Sequence, residues 1–155
     1  MIITEPMTMV TDYVLAVVCI VFAILTMRMD QTHRARALWT LTFFAGAVAA
    51  GLGGTHHGFK LTLGPSADKK LWDATMAVIG ASGALILSAT IISSLRNKKA
   101  SYVRWLIVGV TFSVMGLVIQ MIGWDIDPRF NHNDLFHIVQ IAGFWCFYQG
   151  VRRLA

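Results

Sequence analysis

The chain has 155 residues, of which 56% are hydrophobic and 14% charged, and its formal net charge is +5. A soluble domain usually carries about 25% charged residues, so this composition argues against a soluble globular enzyme. The length allows a single domain, residues 1–155. The cations stand between long apolar blocks, so the positive charge follows from membrane topology and does not indicate a nucleic-acid partner.

Successive apolar blocks are each long enough to cross a bilayer as a helix, which takes about 20 residues. We therefore predict an all-α integral membrane helical bundle with about five transmembrane helices. The predicted spans lie at about 10–28, 36–55, 72–95, 102–124 and 133–152. A signal peptide is the alternative for the first span, but a signal needs a basic segment before its apolar core, and Glu5 stands there without Lys or Arg.

Most cations fall between the first two spans, between the third and fourth spans, and after the last span. They are Arg28, Arg34, Arg36, Arg96, Lys98, Lys99, Arg104, Arg152 and Arg153. The positive-inside rule places these segments in the cytoplasm. With an odd number of spans, the N-terminus is then outside and the C-terminus cytoplasmic, and we expect the protein in a cell inner membrane.

The second span carries a row of small residues at intervals of four, Gly46, Ala50 and Gly54. Such a row lets helix backbones approach closely within a membrane. Plain helix packing is one interpretation, and room for a flat cofactor is the other.

Four of the five histidines lie on the outer side, at the ends of the second and fifth spans, whereas His33 lies in a cytoplasmic loop. The second span ends in His56 and His57, and Gly58 is the expected helix cap. The four histidines are His56, His57, His132 and His137.

The fifth span begins with a polar stretch. Asn131 or Asn133 is the predicted N-cap, and Asp134 suits the positive end of the helix dipole. His137 lies a full turn inside the helix and Gln140 another turn deeper. Polar groups at that depth are costly unless they are paired, and they usually face the interior of the bundle.

The histidines of the two spans predict a metal site at the outer mouth of the bundle. Catalytic zinc takes three protein ligands and keeps a position for water. We therefore expect zinc and the hydrolysis of a lipid amide or ester at the non-cytoplasmic face, with Asp73 as the candidate catalytic residue. The candidate metal ligands are His56, His57, His132, Asp134 and His137.

Three other interpretations of these histidines remain open. Histidines at helix ends also hydrogen-bond headgroups, and Asn-x-Asn-Asp also serves as a plain helix cap. A non-enzymatic subunit of a larger membrane complex would ligate haem or a chlorophyll-type pigment through histidine. Copper is the third possibility, since Met7 and Met9 stand on the same side as His56 and His57.

The stretch His-Asn-Asp-Leu-Phe-His-Ile-Val-Gln at 132–140, with a histidine ending an earlier span, resembles the membrane hydrolase superfamily of alkaline ceramidases and adiponectin receptors. The resemblance implies a zinc site with a His-x-x-x-His pair on the last helix, an earlier histidine, an aspartate and a serine. Over most of its length the chain also resembles small uncharacterised bacterial membrane proteins with a similar start to the last helix.

The match to the hydrolase superfamily is partial. His137 matches the second histidine of the pair, Asn133 occupies the first position, and His132 lies one residue out of register. The superfamily's serine has no counterpart at the matching position, and its bundle has about seven helices. The resemblance assigns the early-helix ligand to His57 or His56, and the acid to Asp73 or Asp68.

Overall fold

The computed structural model describes residues 3–30, 34–96, 99–127 and 129–154, without the side chains of Arg34 and Arg96. His33 and Lys98 lie outside the described residues. The architecture is all-α, as predicted. Its helices are α1 (Pro6–Met27), α2 (Arg34–Leu63), α3 (Pro65–Arg96), α4 (Ala100–Ile122) and α5 (His132–Val151).

Among the described helices, α1 to α4 are long and apolar enough to cross a membrane, judged by length and composition. The fifth helix, α5, has 20 residues, and its polar residues are concentrated in its first turns. Its hydropathy is lowered by His132, Asn133, Asp134, His137 and Gln140.

The second and third helices extend beyond the predicted spans. The helix α2 has 30 residues and α3 has 32, so each is about 45 Å or longer, against a hydrocarbon core of about 30 Å. The predicted cap at Gly58 is wrong, because α2 continues to Leu63. The turn between the helices is made by Gly64, whose φ of 77° is accessible to glycine without strain.

Gly58 instead allows a close helix contact. A Cβ atom at Gly58 would lie 2.5 Å from Sδ of Met9, which is too close for any residue but glycine without a shift of that side chain. The small residue therefore brings α1 against α2.

Helix α1 lies at the centre of the bundle, packed on both α2 and α5, while α3 packs on α2 and α4 packs on α5. The rings of Phe22 and Tyr148 are stacked with centroids 4.8 Å apart, and Thr11 is hydrogen-bonded to His137. Because later residues of α1 contact later residues of α5, the two helices run parallel. Helix α5, which opens with a polar stretch, thus lies between α1 and α4, where its polar groups find partners away from lipid.

The apolar core occupies the end of the bundle where α1 and α5 finish. Trp39, Phe43 and Phe147 are buried there, and the centroids of the Trp39 and Phe147 rings are 5.2 Å apart. Gly46 lies against this core, since a Cβ there would meet Cζ of Phe144 at 3.0 Å. At Gly46, the row of small residues on α2 is thus used for packing against the neighbouring side chains Phe144 and Cys19.

Candidate functional site

A buried polar cluster lies where α1 and α5 begin. Asp12 of α1 is 3% exposed, and Asp134 and His137 of α5 are 0% and 6% exposed. Two carboxyl groups and an imidazole are thus enclosed at one level of the bundle. Ionisable groups inside membrane bundles are rare and usually functional, because their burial is costly.

The ring of His137 has a partner at each nitrogen. Its Nδ1 lies 2.9 Å from Oγ1 of Thr11, and its Nε2 lies 3.1 Å from Oδ1 of Asp12. Thr11 and Asp12 are consecutive residues of α1, so one turn of that helix holds both sides of the imidazole. Oδ2 of Asp12 is buried and has no hydrogen bond within the described part of the chain.

Asp134 closes the start of α5. The backbone N–H of Asn131 donates to Oδ2 of Asp134 over 2.8 Å, and Oδ1 of Asn131 accepts from the backbone N–H of Asn133 and of Asp134. This reciprocal capping box confirms Asn131 as the N-cap. Oδ1 of Asp134 accepts a hydrogen bond of 3.3 Å from Thr11, so both of its oxygens are engaged.

Glycines of α2 make room for the carboxyl group of Asp12. A Cβ at Gly53 would lie 3.2 Å from Oδ2 of Asp12, and one at Gly54 would lie 3.0 Å from Cβ of Asp12. A side chain at either position would require Asp12 to shift by a few tenths of an ångström.

His57 lies one helical turn further out on α2. Its Nδ1 is 2.8 Å from Oε2 of Glu5, whose other oxygen pairs with Lys60. Partial burial by itself raises the pKa of the Glu5 carboxyl, but the hydrogen bond from Lys60 and the proximity of His57 together bring it below its usual value. The backbone supports this contact, since Thr4 and Glu5 donate hydrogen bonds to the carbonyl oxygens of Gly58 and His57.

His56 faces α3. Its Nδ1 and Oδ1 of Asp68 are 2.8 Å apart, but their relative orientation does not form a hydrogen bond. The ring of Trp72 covers His56, with centroids 4.7 Å apart.

His132 and Asp73 lie at the surface. The ring Nδ1 and the backbone N–H of His132 both approach Oδ1 of Asp125, at 2.8 Å and 2.7 Å. These hydrogen bonds, the ring one first, lower the pKa of the Asp125 carboxyl. Asp73 pairs with Lys69 on the exposed face of α3.

Helix α4 adds uncharged polar groups to α5. Nε2 of Gln120 donates to Oδ1 of Asn133 over 2.6 Å, and Oγ of Ser113 donates to Oε1 of Gln140 over 3.4 Å. Gln120 therefore lies at the level of the first turn of α5.

The structure thus brings only part of the predicted set together. His137 and Asp134 lie in one cluster, and His57 lies on α2 one helical turn beyond Gly53, which packs against Asp12. His56, His132 and Asp73 each pair with a different residue elsewhere. Within the described residues no three His, Cys, Asp or Glu side chains are arranged to hold a metal ion.

Sequence reasoning missed Thr11 and Asp12. The available signal was the carboxylate of Asp12 within the first apolar block, at a depth where an unpaired charge is costly. Thr11 carries no such signal, since threonine is common in helices of this kind.

Fold and site together define a small all-α protein with membrane-type helices and a buried carboxylate–imidazole cluster. A model described as "Family of unknown function (DUF6962)" matches residues 7–104 and 89–155, and the chain belongs to that family. No curated protein and no solved structure matches the chain. The comparisons thus agree with the expected small uncharacterised membrane protein family and give no support to the resemblance to alkaline ceramidases and adiponectin receptors.

Proposed function

We propose that the protein binds zinc in the non-cytoplasmic half of a membrane helical bundle and hydrolyses an amide or ester bond of a lipid there. In this proposal all five helices cross a cell inner membrane, with the N-terminus outside and the C-terminus in the cytoplasm. The 20 residues of α5 have a length of about 30 Å, which suffices for one crossing. Its parallel packing on α1 supports the same direction of crossing for both helices.

The contact between His137 and Asp12 carries the proposal. A neutral imidazole and a carboxylate are ordinary zinc ligands, and Nε2 of His137 is 3.1 Å from Oδ1 of Asp12. Nδ1 of the same ring is held by Thr11, in the way that zinc-binding histidines use their other nitrogen. One cation could therefore be shared by Nε2 and the carboxyl group.

His57 is the proposed third ligand. Its Nδ1 is held by the carboxylate of Glu5, which leaves Nε2 for a metal, and His57 lies one helical turn beyond Gly53, which packs against Asp12. A carboxylate behind a histidine orients the ring and raises its basicity as a ligand.

Asp134, a predicted ligand, has both oxygens engaged in the cap and with Thr11, which suits it to hold His137 in place. Asp12 would take the catalytic role that the sequence assigns to Asp73, because its Oδ2 has no hydrogen bond to any described residue while its Oδ1 faces Nε2 of His137. Zinc, when bound, supplies Lewis-acid activation of water and of a carbonyl group. Asp12 would then accept the proton of the attacking water, which requires hydrogen-bond distance to it.

The test is elemental analysis of protein purified in mild detergent without chelators, followed by assays on lipid amides and esters. We expect about one zinc per chain, and loss of zinc and of hydrolysis in His137→Ala. The matched control is His132→Ala, which removes a surface histidine paired with Asp125 and should keep both. Absence of zinc from the wild-type protein after titration with zinc salts would contradict the proposal.

A second candidate is a non-enzymatic subunit of a larger membrane complex. The Asp12–His137 pair favours this candidate because a single proton can hold a carboxylate and an imidazole together, so that no zinc ion is needed. Pairs of this kind occur in membrane proteins that carry protons. The related cofactor readings are haem, a chlorophyll-type pigment and copper. A visible absorption band with iron, magnesium or copper, or copurification with a larger assembly, would favour this candidate over hydrolysis.

A further inference from the structure

We infer that Thr11 is a positioning residue that, backed by Asp134, holds His137 in the tautomer with a hydrogen on Nδ1 and a free lone pair on Nε2. The inference concerns the chain without metal. Its consequence for zinc affinity rests on the proposed function.

The hydroxyl group of Thr11 has three neighbours. They are the carbonyl oxygen of Thr8 at 3.1 Å, Oδ1 of Asp134 at 3.3 Å and Nδ1 of His137 at 2.9 Å. A carbonyl oxygen and a carboxylate oxygen only accept hydrogen bonds, whereas an imidazole nitrogen either donates or accepts. Since the hydroxyl has a single hydrogen, it satisfies all three neighbours only if it donates towards the oxygens and accepts from His137.

Asp134 is held as an acceptor. Its Oδ2 accepts the backbone N–H of Asn131 over 2.8 Å, and it lies in the first turn of α5, where the helix dipole favours negative charge. Oδ1 of Asp134, as an acceptor, takes the hydroxyl hydrogen of Thr11. The remaining lone pair of Oγ1 then accepts Nδ1–H of His137.

The result is a carboxylate–hydroxyl–imidazole relay that runs from α5 through α1 and back to α5. It directs the lone pair of Nε2 at the carboxyl group of Asp12, which is 3.1 Å away. Two acceptors at that distance attract a cation between them, either a proton on Asp12 or a metal ion. Partners of this kind behind a zinc-binding histidine are worth about 10- to 100-fold in metal affinity.

The experiment compares Thr11→Val, which has nearly the shape of threonine without the hydroxyl, with Thr11→Ser, which keeps the hydroxyl. The full chain, labelled with ¹⁵N-histidine and held in detergent micelles without metal, would give the tautomer of His137 from its two nitrogen shifts. The resonances are assigned by their loss in His137→Ala.

We expect the wild-type ring and Thr11→Ser to carry hydrogen on Nδ1 alone, and Thr11→Val to shift towards hydrogen on Nε2. Asp134→Asn, a weaker acceptor of the same shape, should shift the ring in the same direction by less. Zinc affinity should fall about 10- to 100-fold in Thr11→Val and stay close to the wild-type value in Thr11→Ser.

A wild-type ring with hydrogen on Nε2, or with hydrogen on both nitrogens, would overturn the inference, as would an unchanged tautomer in Thr11→Val. If the tautomers follow the expected pattern while none of the proteins binds zinc, the positioning role is supported and the proposed zinc function fails. A merely structural role of Thr11 would lower stability in both Thr11 variants without a selective change of tautomer.

Discussion

Helices α1, α2 and α5 enclose buried side chains at both of their ends, but these side chains are aromatic at one end and ionisable at the other. At one end Trp39, Phe43 and Phe147 fill the space between the helices with aromatic rings. At the other end the same helices enclose Asp12 and His137, with glycines of α2 against the carboxyl group. Lipid tails are as apolar as the aromatic end, so that end is held by close packing, whereas the polar end could not face lipid at all. The comparison predicts that the aromatic end contributes most of the packing stability and that the polar end carries the proposed function.

The largest expected effect tests the aromatic end. Phe147 is 1% exposed, and Phe147→Ala should leave a cavity beside Trp39. We expect a loss of about 3 kcal/mol in the free energy of unfolding, at the low end for a buried aromatic residue because lipid is as apolar as the core. Unfolding in mixed micelles by circular dichroism would measure it. Leu117→Ala on the exposed face of α4 is the control, with an expected change within about 0.5 kcal/mol, and equal losses in both variants would contradict the assignment.

The next effect tests the polar end. Asp12→Asn keeps the shape of the side chain and removes its charge beside His137. We expect zinc affinity to fall at least about 100-fold, about 2.8 kcal/mol, as measured by competition with a zinc chelator. The free energy of unfolding should fall less than in Phe147→Ala, because the amide of Asn can still donate a hydrogen bond to Nε2 of a neutral His137 and leaves no unpaired charge. Asp125→Asn at the surface is the matched control and should bind zinc like the wild type.

A smaller effect sharpens the view that packing holds the aromatic end. A Cβ at Gly109 of α4 would lie 2.7 Å from Cδ1 and Cε1 of Phe147, whereas one at Gly80 of α3 would meet nothing within 4 Å. We expect Gly109→Ala to cost about 2 kcal/mol by overpacking. Gly80→Ala should be neutral or slightly stabilising, because alanine favours a helix. If the two substitutions had the same effect, the close approach of α4 and α5 at Gly109 would not matter for stability.

The smallest effect concerns pH at the start of α5. Hydrogen bonds from the ring and backbone of His132 lower the pKa of the Asp125 carboxyl in the folded protein. A carboxyl group whose pKa is lower in the folded protein stabilises the fold at pH values above its unfolded pKa of about 3.9. That contribution is lost as the pH falls through the folded pKa. We therefore expect the Asp125–His132 contact to open only below about pH 4, as followed by carboxyl ¹³C shifts. In His132→Ala the pKa of Asp125 should rise, and an unchanged titration would contradict the contact.

The part of the site that lies on α5 could be predicted from local sequence. The Asn-x-Asn-Asp stretch predicted the N-cap, which is Asn131, and the depth of His137 predicted that it faces the interior, where it is 6% exposed. These features depend on residues within one or two helical turns, so periodicity and capping preferences suffice. Gly58 shows the limit even of local patterns, because it lies inside α2, close to Met9 of α1, instead of ending the helix.

The sequence by itself determined that the chain is all-α, where its apolar helices lie, and that a polar stretch opens the last of them. Only the tertiary structure decided which groups of different helices meet: Asp12 and Thr11 with His137, and Glu5 with His57. The reason is physical. Helix formation follows from neighbours along the chain, whereas the partner of a buried polar group depends on which helices pack together and at what register. That choice is made by contacts between residues far apart in the sequence, such as Glu5 and His57, separated by 52 positions, and Thr11 and His137, separated by 126.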